Sequence, residues 1–181
     1  MKYPSDLMSE VLYTHEEILE KVDELAKRIN KDYCGLPLTV VCTLKGAVFF
    51  FTDLLKRIDI DCNFEFIKAS SYIGNTTMTI GNVQITNVMN FPIENRHILI
   101  IEDIIDTGLT ADKLFKYFKK QDCASVEMCA LLDKPSRRVV EITPKYRGFE
   151  IEDKFVIGYG LDYNESYRNI PFVGVINKKY I

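Results

Sequence analysis

A run of four branched apolar residues, Ile98 to Ile101, is the feature that most restricts how this chain can fold. The run does not alternate with polar residues, so it predicts a strand covered on both faces, as in the parallel sheet of an α/β domain. Two carboxylates, Glu102 and Asp103, follow it, and a polar turn runs from Asp106 to Thr110. Apolar residues at helical spacing then predict a helix over 111–120. Ligands bind at such strand-to-helix junctions in open α/β sheets.

The turn after this strand has the composition of an anion site. A helix N-terminus presents unpaired amides and the positive end of the helix dipole, and Thr107 and Thr110 add hydroxyl donors. Glu102 and Asp103 would repel a bare phosphate, so they indicate a divalent metal or a sugar diol beside it. Asp106 is then placed to act as a base or an orienting group. The alternative is a solvated acidic loop in which Asp106 is the helix N-cap.

Length and composition indicate one domain, 1–181. The 181 residues are 47% hydrophobic, which is enough for a full core. The net charge of −3 argues against a general nucleic-acid binder. No apolar run approaches membrane-spanning length and the N-terminus lacks the form of a signal peptide, so we expect a cytoplasmic protein. Five scattered cysteines fit reduced thiols, and two histidines offer little for zinc or Ser-His chemistry.

The first third of the chain predicts a helix, a strand and a second junction. Leu12 to Asn30 is predicted as an amphipathic helix, with Thr14 as its N-cap and Glu17 completing a capping box. Leu38 to Thr43 predicts a buried strand, and a helix is expected over 48–58. Between them lies Lys45-Gly46, which alone fits a solvated turn lysine, but beside a phosphate-type loop indicates a pyrophosphate contact.

Three further segments leave alternatives open. After a strand predicted over 63–69, residues 70–82 are polar, and they form either a functional loop or an exposed hairpin. A strand is also predicted over 125–132, and the segment from Lys134 to Arg138 that follows it is expected to be a solvated basic turn stopped by a proline. On residue type alone, Phe155 belongs in the core.

The segment Glu102-Asp103-Ile104-Ile105-Asp106-Thr107-Gly108 closely resembles the phosphoribosyl-pyrophosphate signature of type I phosphoribosyltransferases, in the form typical of members that act on hypoxanthine and guanine. The resemblance runs from about Leu38 to Arg168. It implies a mainly parallel central sheet flanked by helices. It also implies a small hood from the N-terminal and C-terminal segments and a mobile lid at about 70–82.

The resemblance also implies roles for matching residues on the sugar-phosphate side. Lys45 and Gly46 would bind pyrophosphate, with a cis peptide joining Leu44 to Lys45. Ser71 and Tyr72 would begin the lid. The 5′-phosphate would lie in the loop formed by Asp106, Thr107, Gly108, Leu109 and Thr110. Leu109 departs from the polar or basic residue of many relatives, but its backbone amide can still bind phosphate.

On the metal and purine side, Glu102 and Asp103 would orient the ribose hydroxyls directly or through Mg²⁺, with Ile104 beside them among the substrate-binding residues. Asp106 would take the purine proton at N7, and Lys134 would donate to the exocyclic oxygen of a 6-oxopurine. The remaining implied contacts are purine stacking by Phe155, base-edge recognition by the backbone at Val156 and near Asp162, a second magnesium at Asp162, and pyrophosphate at Arg168.

The function that the resemblance implies is transfer of a phosphoribosyl group from 5-phosphoribosyl-1-pyrophosphate to hypoxanthine or guanine. Its implied partners are these small molecules and Mg²⁺, without nucleic acid or membrane, in a homodimer or homotetramer. A second hypothesis is a related regulator that binds the sugar pyrophosphate without turnover. A third is an aspartic protease, because Asp106-Thr107-Gly108 also matches that triplet; the lysine-rich helix and the Lys45 and Lys134 loops argue against it.

Overall fold

The computed structural model describes residues 3–72, 82–87 and 92–181, which form two sheets and three helices. In chain order the elements are β1 (Met8–Tyr13), α1 (His15–Asp32), β2 (Leu38–Leu44), α2 (Val48–Leu55), β3 (Cys62–Tyr72), β4 (Asn82–Asn87), β5 (His97–Ile105), α3 (Leu109–Lys119), β6 (Ser125–Asp133), β7 (Tyr146–Glu150), β8 (Val156–Ile157) and β9 (Val173–Ile176). A 3₁₀ turn, Pro135–Arg137, follows β6. Within these ranges, no helix combines the length and the apolar character needed to cross a membrane.

The larger sheet has the strand order β4-β3-β2-β5-β6-β7. Strands β2, β3, β5, β6 and β7 run parallel, and β4 joins one edge antiparallel to β3. The strand predicted from Ile98 to Ile101 is central β5, in which Ile100 pairs with Val41 on one side and Met128 on the other. The predicted α/β class, a mainly parallel sheet flanked by helices, is confirmed.

Strand β5 carries apolar side chains into the cores on both faces of this sheet. Leu99 and Ile101 pack in the core that contains residues of α1 and α2, whereas Ile98 and Ile100 pack in the core that contains residues of α3. All four are 0% exposed. Burying each such side chain stabilises the fold by about 1.5–3 kcal/mol relative to leaving it in water. Helices on both faces thus explain why this strand lacks polar alternation.

The first helix is capped as predicted but begins later than predicted. The amide of Glu17 donates to Oγ1 of Thr14 at 3.2 Å, and the amide of Thr14 donates to the Glu17 carboxylate at 2.8 Å, which completes the capping box. The predicted start at Leu12 is wrong, because residues up to Tyr13 form β1. The pairing of β1 with β9 overrides the apolar helical pattern at this point.

The third helix begins at Leu109, and its N-cap is Gly108 in the left-handed region at φ 84°. The alternative in which Asp106 caps this helix is therefore wrong. Asp106 lies two residues further upstream, in the turn that leaves β5. Its side chain is consequently not used by the helix and is available to the cavities described below.

A smaller antiparallel sheet, β1-β9-β8, joins the two ends of the described chain. Leu7, Ile157, Ile170 and Ile176 are buried together beside it. The loop between β8 and β9 is fastened to α2 by the hydroxyl of Tyr159, which donates to Asp53 at 2.7 Å. This contact holds the β8–β9 loop beside the carboxyl edge of the larger sheet.

Candidate active site

Two cavities open at the carboxyl edge of the parallel sheet, where ligand sites of open α/β folds lie. The first, of about 380 Å³, lies between the loops after β2 and β5, and we call it the β2–β5 cavity. The second, of about 560 Å³, lies between the loops after β5 and β6, and we call it the β5–β6 cavity. Four residues line both: Asp103, Ile104, Asp106 and Asp162.

Most residues singled out from the sequence line one of these cavities. The β2–β5 cavity adds Lys45, Gly46, Glu102, Thr107, Gly108, Thr110 and Arg168 to the shared four. The β5–β6 cavity adds Lys134, Phe155 and Val156. Among the described residues, Leu109 belongs to neither lining.

The predicted lid lies only in part within the described residues. Ser71 and Tyr72 are the last residues of β3, and their backbones pair with Val83 and Asn82 of β4. The predicted segment from 73 to 81 lies outside the described residues. The flanks are therefore an antiparallel strand pair, and the lid assignment stays a prediction.

The loop after β2 comes so close to its neighbours that it has no room for a side chain at Gly46. A Cβ at Gly46 would lie 1.7 Å from Oδ2 of Asp103, and a Cβ at Gly160 would lie 1.9 Å from the carbonyl oxygen of Gly46. The peptide bond between Leu44 and Lys45 is cis, as the family resemblance predicted. The ammonium of Lys45 lies 2.8 Å from the carboxylate of Glu165, and both side chains are exposed.

Glu102 and Asp103 bring two carboxylates to the end of β5. Glu102 is 5% exposed, and its Oε1 has no hydrogen-bond partner among the described residues. Burial, together with the charge of Asp103, raises the pKa of Glu102 well above its ordinary value. Burial likewise raises the pKa of Asp103 to about 6, although the amide of Ile104 donates to its Oδ1 at 2.9 Å.

This carboxylate pair suits a hard divalent cation that shares its coordination with a substrate. The buried Oε1 of Glu102 has no hydrogen-bond partner among the described residues, so it is free to coordinate a metal ion. Mg²⁺ is held in proteins by one or two carboxylates plus substrate oxygens. Across the described part of the chain, no three or more His, Cys, Asp or Glu side chains are grouped as a ready metal cage. Glu102 and Asp103 supply the one or two carboxylates with which proteins hold Mg²⁺.

The raised pKa of Asp103 predicts a pH-dependent stability. The folded pKa of about 6 lies above the ordinary value of 3.8, so the folded state binds the proton more tightly and this carboxyl favours folding most at low pH. Without added divalent metal, the free energy of unfolding of the wild type minus that of Asp103→Asn is expected to fall as the pH rises from about 4 to 7. Urea denaturation of both proteins across this range measures it, and a difference that is constant with pH would contradict the assignment.

The loop after β5 is held in place by the segment that follows the 3₁₀ turn. Nη1 of Arg138 donates to the carbonyl of Asp106 at 2.6 Å, and Arg138 also ion-pairs with the buried carboxylate of Asp133. The amide of Val139 donates to the carbonyl of Thr107 at 3.0 Å. A Cβ at Gly108 would lie 2.8 Å from Cδ of Arg138. The loop therefore has a fixed shape at the N-terminus of α3, where backbone amides can meet an anion.

Asp106 meets a residue that the sequence analysis did not single out. Nε of Arg137 lies 2.7 Å from Oδ1 of Asp106, an ion pair in which the N–H is not aligned as a hydrogen bond. Nη1 of Arg137 donates to the two carboxylate oxygens of Asp153 at 3.1 and 3.2 Å. The hydrogen bonds that Arg137 donates to Asp153, together with the charge of Asp106, raise the pKa of Arg137. The available sequence signal was the position of Arg137 just after a strand end.

Two interpretations based on residue type alone are wrong for the β5–β6 cavity, whereas the assignment of the same residues to a purine site stays a prediction. Lys134 is 6% exposed instead of solvated, because its Nζ donates to the carbonyl of Lys154 at 2.7 Å and lies 3.7 Å from Asp153. Phe155 is 47% exposed instead of buried in the core, and its ring meets that of Tyr163 edge-on at 5.6 Å. A buried cation and an exposed aromatic face thus line the same cavity.

Arg168 and Asp162 lie together at the junction of the two cavities. Nη2 of Arg168 lies 2.7 Å from Oδ1 of Asp162, and Nη1 donates to the carbonyl of Gly160 at 2.8 Å. The other oxygen of Asp162 accepts from the amide of Glu165 at 2.8 Å. Nε of Arg168 is buried without a hydrogen-bond partner among the described residues. Arg168 is thus a cation with an unused donor, and it lines the β2–β5 cavity together with Lys45.

The carboxyl edge of the parallel sheet places backbone amides at a helix N-terminus beside two carboxylates, which suits a ligand that carries both phosphate and hydroxyl groups, as the substrates of sugar-phosphate enzymes do. The model of the phosphoribosyl transferase domain matches residues 8–164, and the chain belongs to this family. Family membership leaves the protease hypothesis without support.

Within the family, the chain is similar to particular purine enzymes. It is 46% identical to the hypoxanthine-guanine phosphoribosyltransferase of Staphylococcus aureus over 169 residues. This match spans 93% of this chain and 94% of the relative. It is 43% identical over 172 residues to that of Streptococcus pneumoniae, with 95% of each chain covered. A crystal structure of a hypoxanthine phosphoribosyltransferase from Staphylococcus aureus superposes with a TM-score of 0.91 at 44% identity, over 96% of this chain and 94% of that one.

Proposed function

We propose that this chain is a purine-salvage transferase that moves the 5-phosphoribosyl group from 5-phosphoribosyl-1-pyrophosphate to N9 of hypoxanthine or guanine, giving IMP or GMP. In the reaction, the bond from C1′ of the ribose to N9 forms and the bond from C1′ to pyrophosphate breaks. The observation that carries the proposal is the wall shared by the two cavities. A sugar phosphate bound in the β2–β5 cavity and a purine bound in the β5–β6 cavity would therefore be neighbours, with Asp103 and Asp106 between them.

Asp106 is the base in this proposal. As N9 attacks C1′, the purine ring becomes positive, and Asp106 takes the proton from N7. Its side chain is 41% exposed and lines both cavities, so it can reach a purine that is bound beside the sugar. Proton transfer by a positioned side chain contributes about 10²–10⁴-fold to a rate.

Lys134 selects the purine in this proposal. Its ammonium donates to the exocyclic oxygen of a 6-oxopurine but would meet another donor in the amino group of adenine. Phe155 offers an exposed ring face for stacking, and the backbone at Val156 and near Asp162 reads the base edge. Lys134 is held by a carbonyl and a carboxylate, so its ammonium has a fixed place on the cavity wall.

The 5′-phosphate and the pyrophosphate of the substrate are bound by the remaining cations and backbone amides in this proposal. We assign the 5′-phosphate to the loop from Asp106 to Thr110, where the N-terminus of α3 supplies amides and Thr107 and Thr110 supply hydroxyls. Lys45, Gly46 and Arg168 meet the pyrophosphate, whose negative charge grows as it leaves. The buried Nε of Arg168 supports this assignment, because it is a donor that still needs a partner.

Mg²⁺ is the proposed cofactor: Glu102 and Asp103 would hold one ion, and Asp162 would hold a second. When bound, it would supply positive charge to the pyrophosphate group. Glu102 and Asp103 also orient the ribose hydroxyls. Asp162 is engaged by Arg168, so its role as a ligand requires that it exchange this partner.

The remaining parts of the proposal concern the whole molecule. We assign the β1-β9-β8 sheet as a hood over a single domain of residues 1–181, and residues 70–82, beginning with Ser71 and Tyr72, as a lid that excludes water. We also assign a cytoplasmic homodimer or homotetramer that binds small molecules and neither nucleic acid nor membrane. The net charge of −3 supports only the part of this assignment that concerns nucleic acid. Phe49 and Phe64, which are 42% and 52% exposed, offer apolar surface for self-association, and light scattering measures the oligomeric state.

Nucleotide formation tests the proposed function. The protein is incubated with Mg²⁺ and 5-phosphoribosyl-1-pyrophosphate and, separately, with hypoxanthine, guanine, xanthine and adenine. Turnover with hypoxanthine or guanine but not with adenine is the expected result. Binding of the sugar pyrophosphate without turnover of any purine would instead support a regulator and overturn the proposal.

A further inference from the structure

Arg137 contacts the proposed base, yet the mechanism above gives it no role. Its Nε lies 2.7 Å from Oδ1 of Asp106, and that oxygen is closed to solvent. The Asp106 side chain as a whole is nevertheless 41% exposed, so its accessible surface lies on its other atoms. Arg137 therefore covers one edge of the carboxylate and leaves the remainder open to the cavities.

The far side of Arg137 is connected to the proposed purine selector. Nη1 of Arg137 donates to both oxygens of Asp153, and Oδ1 of Asp153 lies 3.7 Å from the ammonium of Lys134. Charges therefore alternate from Asp106 through Arg137 and Asp153 to Lys134, and all four residues line the β5–β6 cavity. Each charged group lies next to a group of opposite charge, so a continuous chain of ion pairs connects the proposed base, Asp106, to the proposed purine selector, Lys134.

The backbone that carries Arg137 is well defined. Arg137 is the last residue of the 3₁₀ turn, and its amide donates to the carbonyl of Lys134 at 3.1 Å. Pro135 occupies the first position of the turn and fixes its own φ. The guanidinium thus extends from a fixed point at the end of β6 towards the end of β5.

We propose that Arg137 is a positioning residue for Asp106. It holds Oδ1 of the carboxylate so that the other oxygen faces the bound purine, and Asp153 holds the guanidinium in turn. This inference rests on the proposed function, because it assumes that Asp106 receives the purine proton. Arg137, from the turn after β6, would thus assist the proton transfer to Asp106, which follows β5.

The substitution Arg137→Gln tests the inference by separating turnover from binding. Misplacement of a reacting group by about 1 Å can cost about 10²-fold, so kcat with hypoxanthine is expected to fall about 10- to 100-fold while KM changes less than about threefold. Arg137→Lys keeps the charge but not the planar fork, and is expected to recover part of the loss. The midpoint of urea denaturation is expected to stay unchanged, since exposed ion pairs contribute about 0–1 kcal/mol.

Arg147 provides the matched control. It has the same 44% side-chain exposure as Arg137 and an ion pair with Glu150 at 2.8 Å, but it is absent from the linings of both described cavities. Its Nη1 also lies 3.5 Å from Asp133, which keeps its closer ion pair with Arg138 when Arg147 is replaced. Arg147→Gln is expected to keep kcat within about twofold of the wild type, because loss of an exposed charge alone has little effect.

A double substitution distinguishes positioning from an independent effect. If Arg137 acts through Asp106, adding Arg137→Gln to Asp106→Asn causes no further loss of kcat, since coupled residues are not additive. An equal loss on both backgrounds, an unchanged kcat in the single variant, or an effect on KM alone would each overturn the inference. A wild type that forms no nucleotide would instead overturn the proposed function, so the two failures are distinguishable.

Discussion

Asp106→Asn is expected to lower kcat for nucleotide formation about 10³-fold, within the range that general-base catalysis contributes. The amide has nearly the same size and keeps an oxygen acceptor, but it cannot accept the N7 proton as a carboxylate does. The loop around Asp106 is held by its backbone, through Arg138 and Val139, and not by this side chain. The variant is therefore expected to keep the fold of the site.

Binding of the product nucleotide separates a lost base from a damaged site. The Kd for GMP is expected to change less than about fivefold in Asp106→Asn, because product binding needs no proton transfer. Asp112→Asn, in an exposed ion pair with Lys116 at 2.7 Å on α3, is the control and is expected to behave as the wild type. Equal losses in kcat and in nucleotide affinity would refute the assignment of Asp106 as the base.

Lys134→Met is expected to lower kcat/KM for hypoxanthine by about 10²–10³-fold, because a buried site built to donate to an oxygen loses its donor. Methionine nearly preserves the length and the apolar stem of lysine, so the 6% exposed position stays filled. The loss is expected mainly in KM for the purine, while KM for 5-phosphoribosyl-1-pyrophosphate changes little. Steady-state kinetics with each substrate varied in turn measure both constants.

Adenine gives this second experiment its internal comparison. The ratio of kcat/KM for hypoxanthine to that for adenine is expected to fall in Lys134→Met, because the repulsion between two donors is removed together with the attraction to O6. Lys145→Met serves as the control, since Lys145 ion-pairs with Asp32 at 3.3 Å beside the amino end of β7. An unchanged ratio would show that another group selects the purine.

The local parts of the site were predictable from the sequence, because they depend on neighbours in the chain. The buried strand, the turn and the helix around Asp106 follow directly from residue order, and so does the capping box at Thr14. The start of α1 was not predictable in this way. Strand β1 exists because it pairs with β9, which comes from the other end of the chain, so Leu12 lies in a strand despite its helical pattern.

Tertiary contacts also explain why residue type alone gave the wrong exposure for Lys134 and Phe155. Lys134 occurs in a basic segment typical of a solvated turn, and only the approach of residues 153–154 from beyond β7 provides its partners. Phe155 is apolar, which favours the core, but its position at the mouth of a cavity is set by the packing of the small sheet. Arg137 was missed because its partners are also distant in the chain: its ion pairs join the loop after β5 and the segment after β7 to the 3₁₀ turn.

The contact between Gly46 and Gly160 has an evolutionary consequence. Each loop occupies the space in which the other would place a side chain, and the second face of Gly46 is already filled by Asp103. Neither position can accept a larger residue unless two other segments shift at once. In a saturation library selected for growth on salvaged purines, these two codons should tolerate almost no replacements, whereas the codon for Lys56, which is 68% exposed just after α2 and lines neither cavity, should tolerate many.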